Sequence, residues 1–171
     1  NNAGVIGSPA PISNALITDV TNKSGNQRPS GIHQNLKKNE EYRLKFADHT
    51  RKHLYNGGAL SPEGAKAIWL RRSNDMDLPI IAESARWGDY RRDVDSGRWS
   101  SSQFDLYTRD KHYLEDQKWI LGNYFPRRTE VVLSQLRARG LYPKTDAPDF
   151  SQHGGQVDSG DFLTIDNPNT G

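Results

Sequence analysis

The sequence has no cysteine, which excludes disulfides, thiolate metal sites and a cysteine nucleophile together. This does not fix a compartment, because exported bacterial proteins also dispense with the residue. No apolar run approaches the ~20 residues needed to cross a bilayer. Charge of one sign is missing as well. The 23 basic and 21 acidic side chains leave a formal charge of +2 and are interspersed, so no field of the kind that binds polyanions develops, and nucleic acid is not an expected partner. The opening "NNAGVIGSPAPISNALI" has neither an initiator Met nor the basic-then-apolar layout of a signal peptide, so the chain reads as an internal piece of something longer. Hydrophobic residues make up only 33% of the 171 positions, and they concentrate between Ile32 and Tyr142. That is enough for one domain with tails.

Residues 1–30 are rich in Pro, Gly, Asn and Ser and read as an extended arm, with at most one short strand at "NALITDV". "NKS" at Asn22 to Ser24 fits the N-glycosylation pattern. From Ser30 the pattern turns helical. Ile32 and Leu36 lie four apart, and Tyr42, Phe46 and Leu54 recur near one face. Asn39 is placed to cap the second helix, with Glu40 and Glu41 at the positive end of its dipole and Gly57 and Gly58 beyond its end. Ser61, Pro62 and Glu63 then start another helix with Ala65, Ile68 and Trp69 as its stripe. Pro79 must kink that helix or begin a new one capped by Asp77, with Ile80, Ile81, Ser84, Ala85 and Trp87 inward and Gly88 as the stop. "YRRDVDSGRWSSSQFDLY" reads as a loop tied down by Trp99 and Phe104, and Asp110 as the cap of "KHYLEDQKWILGNYF". Thr129, Val132, Leu133 and Leu136 form the clearest helical stripe. After Pro143 the run Phe162 to Asp166 alternates like one strand of a β-module.

The expected architecture is therefore mainly α: about five helices with long irregular connections, an extended N-terminal arm at 1–30, a helical lobe at 31–143, and a linker with the first strand of a following β-module at 144–171.

Two constellations can carry chemistry. His49 and His53 are four apart on a predicted helix, so two imidazoles can share a metal. "HTRKH" lacks the glutamate of a zinc-hydrolase helix, however, and no third ligand adjoins it. In "IIAESARWGD", Glu83 and Arg86 are three apart, Trp87 can stack on a guanidinium, and Asp89 follows the Gly88 break. Glu83 or Asp89 can serve as acid, base or metal ligand, and Arg86 can bind a phosphate or carboxylate. The favoured reading is a structural clamp of Glu83, Arg86 and Asp89, in which a buried Arg86 joins the helix end to a loop through bidentate pairing, with Glu83, Arg86, Trp87 and Asp89 otherwise as substrate-side residues. "NGGAL" is better explained by one helix ending and the next beginning than by a phosphate loop, since it lacks the Lys-Ser/Thr pair. The four arginines of "YFPRRTEVVLSQLRARGLYP" are spread among apolar positions and read as a solvated face with one or two buried ion pairs.

Three stretches, "LKKNEEYRLKFADHTRKHLYNGGALSPE", "IIAESARWGD" and "YFPRRTEVVLSQLRARGLYP", together resemble the C-terminal part of the CotH-type kinase-like domain, the spore-coat protein H family of large exported bacterial proteins. The tail "APDFSQHGGQVDSGDFLTIDNPNTG" resembles the entry into a chitobiase C-terminal-type β-sandwich module. The resemblance implies an atypical kinase-like fold that transfers phosphate from ATP to proteins through a lysine and acidic metal ligands. Those elements belong to the portion preceding this segment, so no catalytic residue, ATP site or Mg site is assigned within it. It further implies a secreted or cell-surface location. The expected partners are the remainder of the same polypeptide, protein substrates and cell-surface components. The rival expectation is a non-catalytic surface, adhesion or assembly scaffold.

Overall fold

The computed structural model describes residues 14–21, 29–94 and 106–170. The architecture is mainly α, as the periodicity predicts. Among the described residues five α-helices, α1 (Gly31–Leu36), α2 (Glu40–Leu54), α3 (Pro62–Trp87), α4 (Leu114–Trp119) and α5 (Phe125–Ala138), are accompanied in the second half by helical turns of wider π pitch. The π turns are Tyr90–Val94, Arg109–Tyr113 and Ile120–Tyr124, so the chain from Arg109 to Ala138 is one helical run with two wide turns.

The caps explain where helices begin. Asn39 Oδ1 accepts from the Tyr42 amide at 3.0 Å, and Ser61 Oγ from the Gly64 amide at 3.1 Å, each satisfying a donor that the first turn leaves open. Between α2 and α3 the chain reverses within a few residues. Asn56 and Gly57 take φ of 53° and 73°, and a Cβ at Gly64 would stand 2.3 Å from the Gly58 carbonyl oxygen. The "NGGAL" stretch is thus a junction between two helices. One expected cap is wrong: Thr108, not Asp110, starts the Arg109–Ala138 run, its side chain accepting from the Lys111 amide. Asp77 caps nothing either, because α3 passes through Pro79 unbroken. The proline supplies no amide hydrogen for the Asp75 carbonyl, and Asp75 is exposed, so water can replace that donor.

The core sits between α2 and α5. Ala47 and Leu54 pack with Leu133, Leu136, Leu141 and Tyr142, flanked by Phe46, Tyr55 and Val132. Leu133 is wholly buried, and Thr129 is buried beside it on the same helical face. This is the stripe the sequence marks most clearly.

Other apolar expectations fail. Ile32 and Leu36 are exposed, and α3 has no buried residue along its whole length. Ile68, Ile81, Ala85 and Trp87 lie exposed; only Ala65, Trp69, Ile80 and Ser84 of the expected inward set are even partly covered.

Residues 14–19 and 146–169 are tied to the bundle by side chains of α5 and of Arg139 just beyond it. "NALITDV" opens as a helical turn over 14–17, not as a strand, with the Thr18 amide donating to Asn14 O at 2.9 Å. Leu16 is buried, with its carbonyl taken by Arg128; Gln135 donates to Ile17 O at 3.0 Å, and Arg139 pairs with Asp19 at 3.2 Å. Side-chain donors thus override the local alternation. On the other side Arg137 pairs with Asp146, whose backbone N–H and C=O both bond the Asn169 side-chain amide at 2.8 Å. The expected strand is present only as Ile165–Asp166, antiparallel to Asp149–Phe150 with Phe150 opposite Ile165. "NKS", Trp99 and Phe104 lie outside the described residues.

Candidate functional site

The site is a groove of about 480 Å³ where the C-terminal part of α3 faces the start of the Arg109–Ala138 run. Ile81, Ser84, Ala85 and Asp89 form one wall, and residues 106–110 the other. Two backbone features bring the walls together. The Tyr107 amide donates to Gly88 O at 2.8 Å, and Gly88 has no side chain to prevent it. A Cβ there would meet Ser84 O at 2.4 Å and Tyr107 O at 2.5 Å. Gly88 has φ of −62°, so this glycine is needed for close approach and not for an unusual backbone conformation.

Below the groove, three side-chain links join α3 to the following run. Arg109 grips Asp77 with two parallel bonds, Nε to Oδ1 and Nη2 to Oδ2, both 2.8 Å long. The Tyr113 hydroxyl donates to Ser73 O at 3.2 Å, and the Trp69 indole N–H to the Gln117 side-chain carbonyl. Arg109 also holds Asp110 at 2.6 Å. The guanidinium beside Asp77 keeps that carboxyl below the usual aspartate range, its hydrogen bonds outweighing partial desolvation. The same two aspartates push the arginine still further toward its charged form. Removal of the Tyr113 ring from water raises its phenol, and burial raises the Asp116 carboxyl one turn beyond.

Of the residues singled out in "ESARWGD", only Asp89 lines the groove. Glu83 and Arg86 are exposed, and among the described residues no ion pair joins them. Arg86 lies over the Trp87 ring at 5.1 Å, and Trp87 meets Tyr90 edge-on at 5.9 Å. The expected buried Arg86 clamp is therefore corrected. A bidentate clamp between this helix and the next segment does exist, but its partners are Asp77 and Arg109. Sequence spacing gave no hint of this pair, which is 32 residues apart.

His49 and His53 stack with ring centroids 6.5 Å apart on the exposed side of α2. Among the described residues no third His, Asp or Glu joins them in a metal-binding group. Nor does any described helix have the length and apolarity to cross a membrane.

Chemically, the groove offers an apolar lining from Ile81, Ala85 and Leu106, the Asp89 carboxylate, and the Ser84 hydroxyl, a buried oxygen without a hydrogen-bond partner among the described residues. Its guanidinium is already committed to two carboxylates. That chemistry suits a protein side chain or loop better than a phosphate, which needs free cationic or amide donors. A scan against protein-family models matched none, and searches of curated proteins and of solved structures returned no significant match.

Proposed function

We propose that this chain is the helical C-terminal lobe of a CotH-like protein-kinase-type phosphotransferase domain in an exported multimodular bacterial protein. In this reading it supports an ATP and Mg site contributed by another part of the domain. The observation that carries the proposal is α3. Its 26 residues include Ile68, Leu70, Met76, Leu78, Ile81 and Trp87, all exposed, and not one buried side chain. A helix that carries six exposed large apolar side chains among its charged ones has surface open to a covering partner, and a second lobe seated on α3 is what the resemblance supplies. The placement of the motifs agrees with this. The stretches at 36–63 and 124–143 furnish every residue of the α2–α5 core cluster, whereas Ile80 to Asp89 lies on α3 beside the groove.

Titration calorimetry with Mg-ATP tests the assignment. The chain alone should give no binding heat, while the chain extended at its N-terminus in its parent sequence should bind the nucleotide and label protein substrates. Tight binding by the chain alone would overturn the placement of the nucleotide site. The second reading, a non-catalytic assembly scaffold, rests on the same uncovered helix and wins if the extended protein folds without binding nucleotide.

A further inference from the structure

The start of the Arg109–Ala138 run is closed by a reciprocal cap between Thr108 and His112. Thr108 Oγ1 accepts from the Lys111 amide at 3.3 Å, and the Thr108 amide donates to His112 Nδ1 at 3.1 Å. In a capping box the returning acceptor is a Glu or Gln side chain on the third helical residue. Here the first turn has the wider π pitch, and an imidazole one position later takes that role. A backbone N–H can only donate, so Nδ1 must carry a lone pair and the ring proton must sit on Nε2.

Protonation makes both ring nitrogens donors. The Thr108 amide then faces a second donor, and a cation is placed at the positive end of a helix. The ionisable groups near the ring in the chain divide. Asp116, which interacts electrostatically with the ring, and Asp110 favour the cation, while Arg109 and Lys111 oppose it. Asp77 and Asp110 are already held by Arg109, and no carboxylate can give Nδ1 back its lone pair. The Tyr107 ring stacks on the imidazole at 4.8 Å and its amide bonds Gly88 O, so whatever loosens His112 acts on a wall of the groove.

We propose that His112 is a proton-sensitive latch: neutral, it fastens residues 106–108 against the end of α3; protonated, it releases the Thr108 amide and loosens that wall. The inference is independent of the proposed family.

Amide NMR of the whole chain between pH 5 and 8 tests it. The Thr108 amide shift should follow the titration curve of the His112 ring. Its hydrogen exchange, corrected for the intrinsic pH effect, should accelerate about three- to tenfold on the acid side, the loss expected for one hydrogen bond. His112→Gln, which keeps an acceptor, should leave Thr108 protected at every pH, and His112→Ala should leave it unprotected at every pH. A wild-type Thr108 amide indifferent to the ring titration overturns the proposal, as does a pH step that survives in His112→Gln. If His112→Ala does not fold, the wild-type and His112→Gln profiles decide the matter.

Discussion

Arg109 and Asp77 meet in a parallel two-bond clamp, 2.8 Å at each contact, that fixes the second half of the molecule to α3 two residues before Pro79. The clamp stands where the helix is weakest, since the proline withdraws one donor from the ladder. Its planar fork geometry is specific to arginine, so a lysine at 109 keeps the charge but cannot reproduce the contact.

This pair makes stability depend on acidity in a predictable direction. Asp77 is held below 3.8 in the folded state, so its stabilisation is present above the unfolded aspartate value and is lost as pH falls through the lower folded one. Asp77→Asn should therefore melt below wild type at pH 7. The difference should shrink below about pH 4 and vanish in stronger acid, and calorimetric melts from pH 2 to 7 measure it.

Arg86→Ala is the contrasting substitution. The side chain is exposed and its recorded contact is the Trp87 ring at 5.1 Å, and an exposed cation–π pair contributes ~0.5–1 kcal/mol. A loss no larger than that is expected in urea titrations, whereas Arg109→Ala should lower the midpoint more than Arg86→Ala does. A large loss for Arg86 would restore the buried-clamp reading.

These two arginines also show what was legible in the chain. Local rules read well: Asn39 and Ser61 cap as their positions imply, and the Thr129 to Leu136 stripe is the core face. What depends on distant segments did not read. Arg109 finds Asp77, and Arg128 finds Leu16 O across 112 residues, because each pairing is set by how helices stack and not by spacing along one helix. The expected strand at 14–20 failed for the same reason, as its carbonyls are taken by side chains of α5. In the groove, Asp89 stands out in the sequence by its place after the Gly88 break, but the wall at 106–110 has only the pattern of a loop end and a helix cap. Ser84 gave no polar signal, being an ordinary inward position of α3.

Gly88→Ala sets two effects against each other. Alanine gains up to ~1 kcal/mol in helix propensity, but its Cβ would fall 2.4 Å from Ser84 O and 2.5 Å from Tyr107 O. Both neighbours are backbone and cannot swing aside, so overpacking at ~1–3 kcal/mol should prevail. The variant should be destabilised, and the Tyr107 amide should lose exchange protection before the α2–α5 core does.

Leu133 and Leu78 test the lobe proposal through stability. Leu133 is fully buried between α2 and α5, so Leu133→Ala should cost ~2–5 kcal/mol by lost transfer energy and the cavity left behind. Leu78 is 76% exposed on α3, and Leu78→Ala in this chain should fall within about 0.5 kcal/mol of wild type. If another lobe covers α3, the same Leu78 substitution in the extended protein should cost ~2 kcal/mol or more, because the leucine is then buried. Denaturant unfolding of both substitutions in both lengths of protein gives the comparison. An equally small Leu78 effect in the extended protein would mean that α3 stays uncovered there, and the proposed seating of a second lobe on that helix would fall.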